Sequence, residues 1–340
     1  MARRRNRRWS AFGLLSIVVA VVASAMVLNT MVGRRGSTAR VLIPTGSSLS
    51  AAADSLQSAR VIHSALIFRV VAAVRGATDG AVVSGRYLVS RGSSMSALLG
   101  QLRTGSGRFR RLTIPEGWGI QQIARLAHDS LGLSVDSVVA ATRDSARRAR
   151  VLTTAADVEG YLFPATYDFV DGVTAGGVVD TMLLTFERRW KSSWDATLQS
   201  QGRSRHALVT LASIVEKEAG RSSDRALIAA VYTNRLRAGM RLQADPTVVY
   251  AMGMASKKRV LFADLRIDSP YNTYRVAGLP PGPIASPGTA SLAAAVEPAV
   301  SDAMFFVAFP DGHSEFTKTF AEHTVAVKAS RAARDTSSPR

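Results

Sequence analysis

The stretch ALVTLASIVEKEAG at residues 207–220, followed by ALIAAVYTNRLRAGMRLQADPTVVY at residues 226–250, decides the fold. Apolar residues in the first part recur at i, i+3, i+4 and i+7, the pattern of one buried helix face, at Leu208, Leu211, Ala212 and Val215. Gly220 follows the last turn, where glycine commonly ends a helix. The pattern predicts a buried helix, a second helix and then a polar, strand-like return, in which a polar turn at residues 243–247 enters a short strand or helix.

Glu216 and Glu218 fall in the last turn of this predicted apolar helix. A helix C-terminus carries partial negative charge, and apolar neighbours solvate a carboxylate poorly, so both effects raise the pKa of a carboxyl placed there. A raised pKa suits a general acid. The alternative is a solvated helix end in which Lys217 offsets the negative charge, and the helical periodicity alone does not choose between the two glutamates.

Composition sets the class of protein. With 340 residues, 47% hydrophobic and 20% charged, the chain is long enough for two or three globular domains. It has no cysteine, which excludes disulfides, thiol catalysis and cysteine-ligated metals. His313 and His323 lack metal-ligand spacing, and we expect no cofactor. The net charge of +18 suits nucleic acid, anionic lipid or an acidic polymer, but no basic stripe with interleaved aromatics is present, so nucleic acid is disfavoured.

The N-terminus predicts a membrane anchor. Residues 1–10 are basic, and residues 11–33 are uncharged and long enough to cross a bilayer as a helix. A cleaved signal peptide is the alternative, because Ala23-Ser24-Ala25 resembles a cleavage site, but the apolar run continues to Val32. Since the stronger positive cluster precedes the apolar run, we expect residues 1–10 in the cytoplasm and the rest outside the cytoplasmic membrane.

Residues 39–112 show weak internal repetition, in which a β-rich stretch meets a glycine turn and then a helix-prone segment. Ser48 and Ser94 are predicted helix N-caps. The repetition favours a compact α+β module, although ordinary strand–loop–helix packing explains it equally well. Glu116, in the next turn, is interpreted as a helix-start anion and not as a catalytic group.

Aromatic residues crowd the segment EGYLFPATYDF at residues 159–169. Rings that alternate with carboxylates are typical of a sugar-binding face, and the alternative is a half-buried strand whose aromatics belong to the core. Near the C-terminus, Asp311-Gly312 predicts the turn of a hairpin that is followed by a short helix. We expect the basic end, residues 331–340, to be a flexible tail.

Five ordered motifs closely resemble the MltG (YceG-like) family of endolytic murein transglycosylases. They are LASIVEKEAG, NRLRAGMRLQADPTVVYAMG, SPYNTYRVAGLPPGPIASPG, EGYLFPATYDF and EFTKTFAEH. The resemblance covers most of the chain beyond the predicted anchor. It implies an α+β protein with an N-terminal transmembrane helix, a small LysM-like module at residues 39–112 and a larger catalytic domain at residues 113–330.

The resemblance also implies the chemistry. Enzymes of this family cleave the β-1,4 bond between N-acetylmuramic acid and N-acetylglucosamine in nascent glycan strands, leave 1,6-anhydro ends and end strand growth. One carboxyl protonates the leaving oxygen and then accepts the proton of the C6 hydroxyl, whereas ordinary glycosidases need two. By correspondence with the family, Glu216 is the expected catalytic residue.

The same correspondence implies the residues that line or shape the glycan cleft. They are Tyr161, Phe163, Pro164, Glu218, Asn234, Arg235, Gln243, Asp245, Asn272, Tyr274 and Pro281. The implied partners are peptidoglycan strands, the cytoplasmic membrane and peptidoglycan synthases such as penicillin-binding proteins. The alternative is a membrane-anchored scaffold that binds peptidoglycan without cleaving it.

Overall fold

The computed structural model describes residues 37–77, 82–151, 153, 155–254 and 260–337. Thirteen helices lie in these ranges: α1 (Leu49–Ser58), α2 (Ala65–Val74), α3 (Met95–Thr104), α4 (Ile120–Leu131), α5 (Val135–Thr142), α6 (Ser145–Arg150), α7 (Ala175–Arg189), α8 (Ser192–Ser200), α9 (Arg205–Glu218), α10 (Arg225–Arg237), α11 (Asp245–Ala251), α12 (Thr289–Val296) and α13 (Phe320–Ser337). The same ranges hold six strands: β1 (Thr38–Ile43), β2 (Gly85–Ser90), β3 (Phe109–Thr113), β4 (Thr166–Val170), β5 (Phe305–Ala308) and β6 (Ser314–Thr317). This mixture of elements confirms the predicted α+β class.

The predicted basic segment at residues 1–10 and the predicted transmembrane helix at residues 11–33 lie outside the described residues. Within the described part, the chain forms no helix that is both long enough and apolar enough to cross a membrane.

The first compact unit comprises the described residues up to Arg111, together with Asp168–Gly172. Strand β1 pairs antiparallel with β2, from Thr38 opposite Ser90 to Ile43 opposite Gly85. Alternate residues of β1 are buried, as expected for a sheet with one face on the core. Helices α1 and α2 lie between the two strands in the chain, and α3 follows them, so this unit is a small α+β module.

Serine caps begin the helices of this unit. The Ser48 hydroxyl accepts a hydrogen bond from the Ala51 N–H, and the Ser94 hydroxyl accepts one from the Ala97 N–H, each at 3.2 Å. Both side chains satisfy a backbone donor that the helix leaves unpaired. The two predicted N-caps are therefore confirmed.

The second compact unit comprises Leu112–Tyr167 and the described residues from Val173 onwards. Its centre is α9, in which every residue from Leu208 to Val215 is buried. Helices α10 and α12 pack against α9. The predicted buried helix and the helix after it are thus confirmed, and the unit has a helical core.

The strand-like form of the predicted return is wrong, and its helical alternative is confirmed, because residues 245–251 form helix α11. Pro246 occupies the first turn of this helix, where a missing N–H costs nothing and the fixed φ angle suits the helix. Thr247 and Val248 are fully buried, so packing outweighs the strand preference of these β-branched residues.

The C-terminal part follows the predicted order of hairpin and helix. Strand β5 pairs antiparallel with β6, and Gly312 turns the chain between them with a φ of 88°. Helix α13 then continues to Ser337, so the segment predicted as a flexible tail is helical over its described part. The Ala and Arg residues at 331–334 are good helix formers, which accounts for the extension.

Candidate active site

The C-terminal turn of α9 places its two glutamates in different surroundings. The Glu216 side chain is only 5% exposed and accepts a hydrogen bond from Arg225 Nη2 at 3.1 Å. Its second oxygen accepts the Gly288 N–H at 2.9 Å, at the N-terminus of α12. Both oxygens are thus paired with protein donors, so the hydrogen-bonding needs of this buried carboxyl are met within the protein.

Glu116 shares the same arginine. Its Oε2 lies 3.8 Å from Arg225 Nη2, and a Cβ atom at position 288 would overlap its carboxyl, so the glycine there permits the close approach. Burial and the neighbouring charge of Glu216 raise the pKa of Glu116. Arg225 also donates from Nε to Ser291 Oγ at 3.0 Å. These residues form a polar cluster that ties α9, α10 and α12 together.

Glu218 has a different environment. Its Oε1 accepts a hydrogen bond from the Tyr232 hydroxyl at 2.8 Å. Burial raises the pKa of Glu218 to about 7, and the negative charge of Asp245 acts in the same direction, while Tyr232 and Arg235 act against it. A carboxyl with such a pKa holds its proton near neutral pH and releases it readily, as a general acid must.

Two cavities open beside Glu218, with volumes of about 620 and 610 Å³. Three residues line both of them: Glu218, Asp245 and Val260. Glu216 lines neither. The carboxyl of Glu218 therefore lies where two adjoining spaces meet, each large enough to hold sugar rings.

The first cavity is lined about equally by polar and apolar groups, many of them from the start of α4 and from α9 and α11. Lys217 and Arg143 supply positive charge, and Gln121 and Gln122 supply amides. Lys217 Nζ donates to the Gly117 carbonyl at 3.3 Å, which holds this turn against α9. Hydroxyl-rich and carboxylate-bearing ligands match such a lining.

Glu159 also lines the first cavity and is buried. Its carboxyl accepts the Ile120 N–H at 3.2 and 3.1 Å and the Gly160 N–H at 3.3 Å, so it caps the N-terminus of α4. Burial raises the pKa of Glu159 to about 8 even though these backbone donors lower it. The side chain is therefore neutral at pH 7, although it sits at a helix N-terminus.

The second cavity is aromatic and basic. Its phenylalanine and tyrosine residues are Tyr232, Phe262, Tyr274, Phe305, Phe306 and Phe320. Arg235 and Arg331 add positive charge, and the Arg235 guanidinium stacks over the Phe305 ring at 5.1 Å. Aromatic faces next to hydrogen-bond donors are typical of sites that bind sugars.

Five of the residues predicted to line the cleft do line a cavity. Glu218 and Asp245 line both, and Arg235, Gln243 and Tyr274 line the second. The Tyr274 hydroxyl donates to Asp245 Oδ1 at 2.6 Å. The segments at residues 243–245 and 271–274 thus meet beside Glu218.

The aromatic segment at residues 159–169 differs from the predicted sugar-binding face. Tyr161, Phe163 and Pro164 are buried and line neither cavity. The Tyr161 ring packs edge-on against Phe186 at 5.1 Å. These rings belong to the core, which is the alternative that the sequence left open, because burial inside the unit removes them from any ligand.

Asn234, Asn272 and Pro281 also lie away from both cavities. The Asn234 amide donates to the carbonyls of residues 301 and 303 at 2.8 and 3.0 Å. The buried Asn272 amide donates to the carbonyls of residues 265 and 267, both at 2.9 Å. Both amides hold loops in place, and the Pro281 carbonyl accepts a hydrogen bond from His206 Nε2 at 2.8 Å.

Sequence reasoning missed Lys217 and Arg225 as parts of the site, and it included Glu159 only as a carboxylate of the predicted sugar-binding face. Glu159 stands at the head of the motif EGYLFPATYDF, so the motif marked it, but nothing in the sequence placed it against α4. Arg225 pairs with glutamates 9 and 109 positions away in the chain, which no periodicity detects. In the described ranges, no three His, Asp or Glu side chains come together as metal ligands would.

Most of the chain is similar to known proteins. The model of the YceG-like family matches residues 41–329. An endolytic murein transglycosylase of Bacillus subtilis is 37% identical over 305 residues, covering 85% of this chain and 84% of that protein. An endolytic murein transglycosylase of Streptococcus pneumoniae is 31% identical over 326 residues, but this chain spans only 57% of its length.

A solved structure shares the fold. The crystal structure of a YceG-like protein from Listeria monocytogenes has a TM-score of 0.60 and 34% sequence identity, and the match covers 86% of this chain and all of that one. Together with the family model, which spans most of the sequence, this likeness confirms the family that the motifs indicated. The chain belongs to the YceG-like family.

Proposed function

We propose that this protein is an endolytic murein transglycosylase, which cleaves the bond between N-acetylmuramic acid and N-acetylglucosamine within peptidoglycan strands. The observation that carries the proposal is a carboxyl with a pKa near 7, placed where two cavities meet. The relatives from Bacillus subtilis and Streptococcus pneumoniae bear this activity in their names.

We assign the proton transfer to Glu218, whereas the family correspondence at the level of sequence suggested Glu216. Both Glu216 oxygens are engaged by Arg225 and Gly288, and the residue lines neither cavity. Glu218 lines both cavities, and one hydrogen bond from Tyr232 orients it. Glu216 then holds α10 and α12 at the end of α9 and so supports the position of Glu218.

The chemistry needs one carboxyl in two protonation states. Neutral Glu218 gives its proton to the glycosidic oxygen as the bond to C1 of the muramic acid breaks. The resulting carboxylate accepts the proton of the C6 hydroxyl, whose oxygen bonds to C1 and closes the 1,6-anhydro ring. Because the proton returns to Glu218, the cycle needs no water, and a pKa near 7 suits both halves of the transfer.

Cleavage within a strand requires room on both sides of the proton donor. The cavities of about 620 and 610 Å³ flank Glu218 and provide that room. The polar side chains of the first cavity suit the hydroxyl and amide groups of the glycan, and the rings of the second suit the apolar faces of the sugars.

The site of action is also part of this proposal. The apolar run at residues 11–33 anchors the chain in the cytoplasmic membrane, with the catalytic part outside it, where newly made strands emerge. Residues 39–112 act as a LysM-like glycan-binding module. Peptidoglycan synthases at the same membrane are the expected neighbours, and cleavage there ends strand growth.

Digestion of purified glycan strands tests the assignment. We expect the full-length protein to release products that end in 1,6-anhydro-muramic acid, detected by mass spectrometry. We expect Glu218→Gln to lower the rate by about 100-fold or more, because the amide has no proton to give. Glu216→Gln should mainly lower the stability of the protein. The cleavage rate measured on its folded fraction should change less.

The outcomes separate the alternatives. Reducing ends without anhydro products would exclude the transglycosylase reaction. An unchanged rate in Glu218→Gln would exclude this residue as the acid, and loss confined to Glu216→Gln would return the role to Glu216. Glycan binding without any product would indicate the non-catalytic scaffold.

A further inference from the structure

Asp245 is a second carboxyl at the point where the two cavities meet. Among the described residues, Glu218 and Asp245 are the acidic side chains that line both cavities. Asp245 is exposed to the cleft, and its Oδ1 accepts a hydrogen bond from the Tyr274 hydroxyl at 2.6 Å. The carboxyl is thus accessible to a ligand and at the same time held in one orientation.

The backbone before Asp245 adopts a conformation that ordinary residues avoid. Gln243 has a φ of 52°, in the left-handed region that disfavours residues with a Cβ atom. Its N–H donates to the Thr273 carbonyl at 3.1 Å, and the Ala244 N–H donates to Thr273 Oγ1 at 3.0 Å. Strain of this kind persists only where the surroundings hold it, and it is common at functional sites.

A buried pair of threonines anchors the same turn. The hydroxyls of Thr247 and Thr273 lie 2.9 Å apart, and both residues are fully buried. Thr247 is on α11, two residues after Asp245, and Thr273 precedes Tyr274 in the chain. One network therefore holds both Asp245 and the tyrosine that orients it, so the carboxyl is preorganised.

We propose that Asp245 is a second catalytic residue, whose carboxylate stabilises the positive charge that develops at C1 and the ring oxygen of the muramic acid as the glycosidic bond breaks. This inference rests on the proposed transglycosylase function. Asp245 forms no bond and moves no proton. The bonding electrons leave with the glycosidic oxygen, Glu218 supplies and recovers the proton, and the C6 oxygen closes the ring.

The other acidic groups near the cleft do not fit this role. Glu159 is neutral at pH 7, because burial raises its pKa to about 8. Glu218 must be neutral when the bond breaks. Asp157 lines the first cavity alone, and its Oδ1 is used by the Glu159 N–H at 3.1 Å. Asp245 supplies negative charge at the junction, where the scissile bond lies beside Glu218.

Asp245 also acts on the acid itself. The titratable groups that face Glu218 are Tyr232 and Arg235 from α10, Asp245 from α11 and Tyr274, with Lys217 next to it on α9. Of these, the Asp245 charge raises the pKa of Glu218, and Arg235 lowers it. Removing the Asp245 charge should therefore lower the pKa of Glu218 and shift the alkaline limb of the activity profile to lower pH.

The experiment compares Asp245→Asn, Tyr274→Phe and Glu218→Gln in the full-length protein, with kcat and KM measured on glycan strands over a range of pH. For Asp245→Asn, we expect kcat to fall by about 100-fold with little change in KM, and the alkaline limb to move to lower pH. Tyr274→Phe keeps the charge and loosens its orientation, so it should lose about 10-fold at most. Asp268→Asn, a change at an exposed surface carboxyl that lines neither cavity, is the matched control.

Each result has a distinct meaning. If Asp245→Asn keeps the wild-type kcat while Glu218→Gln is inactive, the role of Asp245 is excluded and the proposed function stands. A raised KM with unchanged kcat would show that Asp245 only binds substrate, which also overturns the inference. If Glu218→Gln itself keeps its activity, the proposed function fails. Circular dichroism of every variant excludes loss of folding as the cause.

Discussion

Two glutamates separated by one lysine differ because of what other elements bring to them. Glu216 meets Arg225 of α10 and the N–H of Gly288, the residue before α12, which pair both of its oxygens. Burial raises the pKa of Glu218, and the charge of Asp245 acts in the same direction, whereas the hydrogen bond from the Tyr232 hydroxyl acts against them. Both glutamates lie at the same apolar helix end, so the environment predicted from the sequence is the same for both. Only the residues that contact each carboxyl distinguish their roles.

At the same scale, Glu159 gives the stability a pH dependence of known sign. Its pKa is about 8 in the folded protein and 4.5 in the absence of structure. Between these values the unfolded chain loses the proton while the folded chain keeps it, so stability contributed by neutral Glu159 is fully present below about pH 4.5 and is lost as pH rises toward 8.

Glu159→Gln should remove this dependence, because the amide never ionises. We expect the free energy of unfolding of the wild type to fall relative to that of Glu159→Gln by a few kcal/mol between about pH 5 and pH 8. Urea unfolding followed by circular dichroism measures the difference in unfolding free energy between the two proteins. The contributions of all other titrating groups cancel in this difference. A difference that is constant with pH would contradict the prediction.

At the scale of elements, the residue after the cap of α4 lies in close contact with a neighbouring loop. Gly160 follows the capping Glu159 and has a φ of 83°, and a Cβ atom there would overlap the Pro283 ring. Glycine is therefore required twice at this position, by its backbone conformation and by the space available. The motif EGYLFP and the Pro/Gly-dense loop at residues 278–288 thus meet through a residue without a side chain.

Gly160→Ala tests this packing. We expect it to destabilise the protein by about 2–4 kcal/mol, the sum of a left-handed alanine and an overpacked contact. Gly278→Ala is the matched control, because Gly278 has a φ of 85° but no atom within 4 Å of the added Cβ, so about 1 kcal/mol is expected. Thermal unfolding of both variants gives the comparison, and equal losses would show that space plays no part.

At the scale of the whole molecule, charge and hydropathy are distributed unevenly along the chain, with an apolar run near the N-terminus. The net charge of +18 comes with an uncharged run at residues 11–33, between basic residues on both sides. An anchor would confine the site to the neighbourhood of the membrane, where the proposed substrate is made. The positive charge would favour contact with anionic lipid and with the carboxylates of peptidoglycan.

Fractionation of cells tests the anchor. We expect the full-length chain to remain with membranes in high salt and in alkaline carbonate, to be released by detergent, and to be cut by protease added outside the cytoplasmic membrane. Removal of residues 11–33 is the control and should abolish membrane association. Loss of an N-terminal tag together with release from the membrane would instead indicate a cleaved signal peptide.

Much of the fold could be predicted because local rules governed it. The periodicity of α9 and the hydroxyls of Ser48 and Ser94 act over a few residues, and the structure follows them. The failures came where distant packing prevailed over local preference. Residues 245–251 formed the helical alternative of the strand-like return, with buried side chains, and the rings of Tyr161 and Phe163 entered the core in place of a binding face.

The sequence by itself determined the α+β class, the family and the apolar helix that ends in two glutamates, because composition, periodicity and ordered motifs are local properties of the chain. Only the tertiary structure distinguished Glu218 from Glu216 and brought Asp245 and Tyr274 beside the former. The physical reason is that a carboxyl's protonation depends on burial and on partners within a few ångströms, and these partners come from helices and turns far apart in the chain.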